Sequence, residues 1–241
     1  MRLAVISDIH GNLDALHQVL HDIGNSSVDA VFCLGDNVGY GPEPEQVVEL
    51  IQDQNIPSVM GNHELALSDR DYLNWFNPVA RISLIKTFGM LSKNSIRFIC
   101  NLRSYISSFD CRFVHGFPPD SPTTYLFEAT EERFQHVFEQ MIERICFVGH
   151  THTLEIIGFD GQAVFFAPLK RGVTNLQREN RYIINIGSVG QPRDGNNNAK
   201  YVIWDASENS IELKFIPYDI DAVVDKILKA GLPKAHASRL R

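Results

Sequence analysis

Short apolar runs rich in Val, Ile and Phe recur along the chain, and most lack the alternation of half-buried strands. They occupy residues 3–7, 30–34, 57–60, 111–114, 145–148, 183–186 and 201–204. Runs of this length without alternation are typical of strands that are buried on both faces. Between the first three runs, apolar residues recur at helical spacing, which predicts helices near 13–23 and 47–51. Strands that alternate with helices predict a largely parallel α/β core.

Residues 65–106 break this rhythm with a longer insertion. Its apolar positions are Trp75, Phe76, Leu84, Phe88 and Leu91. We expect this region to form a helical cap beside the core, with Trp75 and Phe76 inside the cap.

Beyond Gly149 the pattern changes to short strands around turn signals such as Asp160-Gly161 and Asp194-Gly195. This pattern predicts a second sheet. Residues 220–228 predict a short amphipathic helix, and we expect the C-terminal Arg239 and Arg241 to belong to a frayed, solvated tail.

The composition is that of an ordinary globular protein. The chain has 241 residues, of which 44% are hydrophobic, and 22 Lys and Arg against 29 Asp and Glu give a net charge of −7. We expect one domain over residues 1–241, because no repeat or low-complexity linker divides it. No apolar run approaches the roughly 18 residues of a membrane helix, and the first run is too short for a signal peptide. The sequence therefore predicts a cytoplasmic protein without membrane attachment.

The four cysteines and the acidic charge disfavour a disulfide-bonded protein and a general nucleic-acid-binding protein. The cysteines have no C-x-x-C spacing, and most of them lie in apolar runs, which predicts buried, reduced thiols. The acidic balance disfavours general binding to nucleic acid.

Five segments at the ends of predicted strands carry residues that bind metals, next to glycine. They read SDIHGN at 7–12, GDN at 35–37, GNHE at 61–64, HG at 115–116 and GHTH at 149–152. In open α/β sheets, ligands bind at the carboxyl ends of the strands, so we expect these segments to converge. The glycines would let the backbone turn sharply and approach a ligand closely.

These segments supply about seven oxygen and nitrogen ligands, which is too many for one tetrahedral ion and suits two. The predicted ligands are Asp8, His10, Asp36, Asn62, His115, His150 and His152. Asp36 is assigned the bridging role, because its carboxylate has two oxygens. No cysteine belongs to the set, so we expect two divalent or mixed-valence transition metals, Mn, Fe, Zn or Ni.

The ordered set of Asp-x-His, Gly-Asp, Gly-Asn-His, His-Gly and Gly-His-x-His resembles the calcineurin-like metallophosphoesterases. Residues 185–195, NIGSVGQPRDG, resemble the ending of a bacterial branch of diadenosine-tetraphosphatase-like proteins and small phosphodiesterases. The resemblance implies an α/β/β/α sandwich of two mixed sheets flanked by helices, with a small helical cap insertion.

The resemblance also implies a role for each predicted ligand. One metal would be held by Asp8, His10, Asp36 and His152, and the second by Asp36, Asn62, His115 and His150. A metal-bridging hydroxide would attack phosphorus in line with the leaving oxygen, which His63 would protonate or stabilise. The implied substrate is a small phosphodiester, phosphomonoester or nucleotide.

The chain departs from the serine/threonine protein phosphatases, which it also resembles in its Gly-Asn-His-Glu segment. Those proteins carry arginines where this chain has Tyr40 and Met60, and neither residue can replace a bidentate Arg contact to phosphate. Protein phosphatase activity is therefore disfavoured. Arg193 is a candidate for the missing charge, and Asn37 and Tyr40 are further candidate substrate contacts.

Two alternatives to a small-molecule esterase stay open at this point. One is a non-catalytic, metal-containing binding scaffold, and the other is a nuclease, against which the acidic charge and the lack of a basic stripe count. Glu64 is expected to be an ordinary residue in the first turn of a helix.

Overall fold

The computed structural model describes residues 1–241 and contains eleven strands in two sheets. The strands are β1 Arg2–Ile6, β2 Ala30–Cys33, β3 Tyr105–Ser108, β4 Cys111–Val114, β5 Ile145–Val148, β6 Leu154–Phe159, β7 Val164–Pro168, β8 Gly172–Asn175, β9 Arg181–Ile186, β10 Ala199–Asp205 and β11 Ser210–Ile216. Six of the seven apolar runs of the sequence lie in these strands.

Eight α-helices accompany the strands. They are α1 Leu13–Gly24, α2 Pro44–Asp53, α3 Asn62–Ser68, α4 Pro78–Phe88, α5 Lys93–Cys100, α6 Glu131–Gln140, α7 Ile220–Lys229 and α8 Lys234–Arg239, and 3₁₀ helices span Arg70–Trp75 and Leu126–Glu128. The Asn12 side chain accepts a hydrogen bond from the Ala15 backbone N–H and so begins α1. None of these helices has both the length and the apolar character that crossing a membrane requires.

The first sheet has the order β2-β1-β10-β11-β8, and the second has the order β3-β4-β5-β9-β6-β7. Only the pairs β1-β2, β4-β5 and β5-β9 are parallel, and the other six pairs are antiparallel. The expectation of a largely parallel core was therefore wrong. The reason is that the later part of the chain folds back in antiparallel hairpins, such as β6-β7 and β10-β11, in both sheets. The implied sandwich of two mixed sheets is confirmed.

The two sheets pack face to face through a core to which both contribute. Its largest buried side chains include Leu3, Phe32, Phe113, Phe147, Ile184 and Trp204. On the outer faces, α1 packs on β10 and β11, and α6 packs on β7. This arrangement gives the α/β/β/α layers and leaves the ends of the central strands open for a site.

One local expectation was wrong. The run 57–60 is not a strand, because it pairs through single residues only, Ser58 with Cys33 and Val59 with Arg103. The Asp194-Gly195 turn lies between two strands, β9 and β10, which belong to different sheets. The Asp160-Gly161 turn does connect the hairpin β6-β7.

The region 65–106 is helical as far as the end of α5, and β3 begins before the region ends. The helix α3 contacts α4, α5 and the 3₁₀ helix Arg70–Trp75, which together form the cap. The prediction that Trp75 lies inside the cap was wrong, because Trp75 is 85% exposed.

The C-terminal end is not frayed, although Arg239 and Arg241 are exposed as expected. The helix α8 packs against α7 through the buried side chains of Ala237 and Leu240. The expectation failed because a helix of six residues has too little periodicity to be recognised in the sequence.

Candidate metal centre

The predicted ligands meet where the two sheets present the carboxyl ends of their parallel strands. Within each sheet, β1 lies parallel to β2 and β4 lies parallel to β5, so their ends share one edge. Asn62 reaches the same place from the start of α3. The residues that follow these four strands are Asp8 and His10, Asp36, His115, and His150 and His152.

Six residues at these strand ends adopt the left-handed backbone conformation, with φ between +51° and +68°. They are Asp8, His10, Asp36, Tyr40, His150 and His152. For residues other than glycine, such a conformation costs about 1–3 kcal/mol each, and it persists where the surrounding structure enforces it. Strained positions of this kind cluster at functional sites.

The neighbouring glycines allow the backbone segments to approach the carboxylates. A Cβ atom on Gly61 would collide with the carboxylate of Asp36, and one on Gly149 would collide with the side chains of Ser7 and Asp8. The expected close approach is therefore found at both glycines.

A first group of ligand atoms contains Asp8, His10 and His152, all buried. The Nδ1 atoms of His10 and His152 lie 3.2 Å and 2.5 Å from the carbonyl oxygens of Val38 and Gln191. A carbonyl only accepts, so in a neutral ring each Nδ1 carries the hydrogen and each Nε2 presents a lone pair. These two Nε2 atoms are 3.2 Å apart, and Asp8 Oδ1 lies 3.1 Å from His152 Nε2.

A second group contains Asp36, Asn62, His115 and His150. His115 Nδ1 faces the Leu34 carbonyl at 2.8 Å, and His150 Nε2 faces the Thr123 carbonyl at 3.1 Å. The other ring nitrogens, His115 Nε2 and His150 Nδ1, therefore face each other at 3.1 Å. His115 Nε2 also lies 3.2 Å from Asn62 Oδ1 and 3.4 Å from Asp36 Oδ2.

One oxygen of each carboxylate is held in place, and the other is free. Asp8 Oδ2 accepts hydrogen bonds from Ser7 Oγ at 2.5 Å and from the His150 backbone N–H at 3.1 Å. Asp8 Oδ1 is buried and has no hydrogen-bond donor. Asp36 Oδ1 accepts from the His63 backbone N–H at 2.9 Å, and Asp36 Oδ2 lies between the two groups, 3.4 Å from His115 Nε2 and 3.7 Å from His10 Nε2.

The electrostatics of both groups favour positive charge. Burial raises the pKa of Asp8, but the imidazoles of His152, His10 and His115 together outweigh burial and hold it well below its usual range. Burial lowers the pKa of His115, but the carboxylates of Asp36, Asp8 and Glu64 together outweigh burial and raise it to about 9. A proton on His115 thus takes the place that a cation would take between these side chains.

This donor set fits two divalent cations. In the first group, the Nε2 atoms of His10 and His152 face each other with no hydrogen between them beside the unpaired Asp8 Oδ1, and they repel one another unless a cation lies among them. In the second group, the proton on His115 occupies the place of a second cation. The ring nitrogens that face away donate to backbone carbonyls, which is the usual support of metal-binding histidines. Oxygen and nitrogen donors without thiolate suit the transition metals predicted from the sequence.

His63 lies beside this cluster, and its side chain lines the adjoining cavity. Its Nε2 atom is 3.8 Å from Asp36 Oδ2, and its Nδ1 atom has no hydrogen-bond partner. Burial lowers the pKa of His63 well below its usual range, so the free imidazole is neutral and has one N–H to donate.

The cavity has a volume of about 640 Å³ and connects the cluster to the cap. On the cluster side it is lined by Asp36, Asn62, His63, His150 and His152. The cap and the loops contribute the aromatic residues Tyr40, Tyr72, Trp75, Phe76 and Tyr125, and two arginines, Arg193 and Arg239. Two of the three predicted substrate contacts, Tyr40 and Arg193, thus face the cavity.

The third predicted contact, Asn37, does not face the cavity. Its side chain is fully buried on the other side of the loop, where Oδ1 accepts from Cys33 Sγ and Nδ2 donates to Ser58 Oγ, each at 3.1 Å. The prediction for Asn37 was wrong because adjacent residues of an extended loop point in opposite directions.

Sequence reasoning missed the role of Glu64. Its buried carboxylate accepts three backbone hydrogen bonds, from Asp36 at 2.8 Å, Asn37 at 2.7 Å and Gly61 at 2.9 Å. The bond to Gly61 is the return half of a capping box, and a glutamate three residues after a helix N-cap is its sequence signal. Arg239 was also missed, and nothing in the sequence near it indicates the cavity.

Comparisons with known proteins agree with this geometry. Residues 1–209 match the model of the calcineurin-like phosphoesterase superfamily domain. The chain is 36% identical to an uncharacterized protein of Methanocaldococcus jannaschii, over 99% of this chain and 96% of that protein.

Two solved structures cover the chain almost completely. A metallophosphoesterase from Sphaerobacter thermophilus is 37% identical, with a TM-score of 0.85 over 100% of this chain and 98% of that one. A hypothetical protein from Pyrococcus horikoshii has a TM-score of 0.75 at 20% identity, over 99% and 97% of the two chains, and this likeness shows the fold alone.

Proposed function

Because the chain belongs to the calcineurin-like phosphoesterase superfamily, we propose that it is an enzyme that hydrolyses small phosphate esters with two transition metal ions. The observation that carries this proposal is the pair of ligand groups described above. In each group, two imidazole nitrogens face each other beside a carboxylate oxygen, and members of both groups line an open cavity.

The first ion would be held by Asp8, His10, Asp36 and His152, and the second by Asp36, Asn62, His115 and His150. Asp36 belongs to both sets because Oδ2 lies between the two groups. When bound, two divalent ions neutralise phosphoryl oxygens and lower the pKa of water, which makes a nucleophile available at neutral pH. Ser7 and the backbone of His63 hold the two carboxylates in the required orientation.

His63 is proposed to act on the leaving group. It lines the cavity next to Asp36 and has no hydrogen-bond partner of its own at Nδ1. A neutral imidazole in this place can donate its N–H to the oxygen that leaves phosphorus and so stabilise the charge that develops there. The ring is held in position by its neighbours, because it packs edge-on against Tyr40 and Phe76.

The direct test is hydrolysis of p-nitrophenyl phosphate and bis-p-nitrophenyl phosphate by metal-stripped protein, before and after addition of Mn²⁺. We expect turnover only with metal, and the ratio of the two rates assigns monoesterase or diesterase activity. The Asp36→Asn variant serves as a control, because it should bind less metal and remain inactive. Absence of turnover with a panel of monoesters, diesters and nucleotides, in protein that holds two metals per chain, would overturn the proposal in favour of a binding scaffold.

A further inference from the structure

The last helix of the chain, α8, contributes a side chain to the same cavity as the candidate metal ligands. Arg239 lines this cavity together with Arg193, which comes from the loop between β9 and β10. The two arginines are 46 positions apart in the sequence, and only the packing of α8 places them at one cavity.

The helix α8 is fixed in this place by contacts on its inner face. The buried ring of His236 packs against Tyr40 at 4.6 Å between ring centroids, with the planes tilted by 37°, and Tyr40 in turn lies 4.5 Å from the ring of His10. Ala237 and Leu240 are buried against α7. The orientation of α8 relative to the metal ligands is therefore set by a continuous row of packed rings.

The loop that carries Arg193 is also held firmly. Nζ of the buried Lys200 donates to Asp194 Oδ1 at 2.7 Å, which fixes the residue after Arg193. The Asn197 side chain donates to the carbonyl oxygen of Arg241 at 2.9 Å, which connects this loop to the end of α8. The two arginines thus belong to two segments that are joined by a hydrogen bond.

Neither guanidinium is neutralised by a carboxylate. Arg193 donates only to Gln191 Oε1, at 3.1 Å, and neither arginine forms an ion pair. The one acidic lining residue outside the metal ligands is Glu128, whose Oε2 accepts from the Tyr125 backbone N–H at 3.3 Å. Apart from the metal ligands, the cavity therefore carries two arginines against one carboxylate, in a chain with a net charge of −7.

We propose that Arg193 and Arg239 form an anion subsite, which binds a second anionic group of the substrate while the metal ligands hold the reacting phosphate. The subsite rests on the function proposed above and narrows it to phosphate esters with a second negative charge, such as a further phosphoryl group. Arginine suits this task because its planar group of N–H donors makes paired, charge-assisted hydrogen bonds to phosphoryl oxygens.

Two matched probes separate this subsite from the metal centre. Propylphosphonate and propane-1,3-diphosphonate differ only in the second anionic group, and calorimetry measures their affinities for Mn²⁺-loaded protein at fixed free Mn²⁺ without any turnover. We expect the diphosphonate to bind at least about tenfold more tightly, as charge-assisted hydrogen bonds allow. Arg193→Ala and Arg239→Ala should each weaken binding of the diphosphonate far more than binding of propylphosphonate, and so remove most of this preference.

The matched control is Arg241→Ala, because Arg241 is an exposed arginine near the end of α8 that pairs with Asp221 at 2.7 Å. It should keep the preference, and thermal melting should show that all three variants are folded. Equal affinity of the two probes for the unmodified chain, or an equal loss of both in Arg239→Ala, would overturn the subsite. A preference that depends on the arginines in a protein that hydrolyses no ester would instead refute the proposed function and leave the subsite standing.

Discussion

The carboxylate of Glu64 accepts a hydrogen bond from the backbone N–H of Asp36 at 2.8 Å. The same carboxylate also accepts hydrogen bonds from the backbone N–H groups of the next residue, Asn37, and of Gly61, the N-cap residue of α3. Burial and the charge of Asp36 raise the pKa of Glu64 to about 7, so an ionised group here is costly and the three donors offset that cost. Glu64 is thus the anchor of the two loops that present Asp36 and Asn62.

Replacement of Glu64 by Gln should loosen both loops. The amide places an NH₂ group against backbone N–H donors, so at least one donor loses its acceptor, at a cost of about 1–3 kcal/mol. We expect a lower free energy of unfolding in urea and a metal affinity that is about 10–100-fold weaker. Glu49→Gln, on the exposed face of α2, is the matched control. Unchanged metal affinity in Glu64→Gln would show that the loops hold their shape without the carboxylate.

Removal of metal should destabilise the fold, because the opposed imidazole nitrogens then lose the cation between them. Mn²⁺ at one hundred times its dissociation constant adds about 2.7 kcal/mol to the stability of the native state. For a chain of this length, that corresponds to roughly 5–10 °C in Tm. Differential scanning fluorimetry with EDTA and with Mn²⁺ measures the shift. The shift should shrink in His152→Ala and persist in His17→Ala, since His17 is exposed on α1.

His63→Ala should separate chemistry from metal binding. The side chain donates no bond to the ligand groups, so the variant should keep two metals per chain. We expect kcat for nitrophenyl esters to fall by about 10²–10⁴, the usual contribution of a general acid or base. Metal content by mass spectrometry and steady-state kinetics on the same sample provide the comparison. Full turnover in metal-loaded His63→Ala would remove His63 from the mechanism.

Trp75 should bind the organic part of the substrate. Its side chain is 85% exposed and lines the cavity, and its ring packs against Tyr72, with 6.4 Å between ring centroids and 28° between the planes. We expect Trp75→Ala to raise KM for p-nitrophenyl phosphate by about two- to tenfold, the value of one aromatic contact, and to leave KM for methyl phosphate unchanged. Ile142→Ala is a control of similar exposure, 87%, at the amino end of β5. An equal rise of KM for both esters would contradict this role.

Only one of the four cysteines should react in the native chain. Burial raises the pKa of Cys33 and Cys111 to about 12 and also raises that of Cys146, whereas Cys100 is exposed at the end of α5. Because the thiolate is the reactive form, Ellman's reagent at pH 8 should titrate one thiol in the native chain and four in denaturant. Cys100→Ser should show none before unfolding. More than one fast thiol in the native chain would mean that the strands open locally.

The central strands could be predicted from the sequence because they are buried on both faces and therefore continuously apolar. The edge strands β3 and β8 could not, since half of their residues are exposed and their sequences, YISS and GVTN, resemble loops. The pairing directions were also beyond the sequence pattern. Residues 199–205 return antiparallel to a strand formed near residue 2, and no local feature encodes that choice.

The residues of the candidate site were found because metal ligands need particular side chains at the ends of strands. Their order along the chain was enough to bring Asp8, Asp36 and His150 to one place in the expected fold. The direction of a side chain in a loop was not predictable, as Asn37 shows, and neither was a contribution from a distant helix, as Arg239 shows. Both depend on tertiary packing rather than on local preference.

The position of β1 in the first sheet also has a consequence for synthesis on the ribosome. β1 pairs on one side with β2, which follows it closely, and on the other side with β10, so that Arg2 lies opposite Asp205. At the roughly 5–20 residues per second of translation, β1 waits about 10–40 s for this second partner. During that interval an apolar strand edge stays open, and we expect the nascent chain to depend on chaperones until residues beyond 205 have emerged.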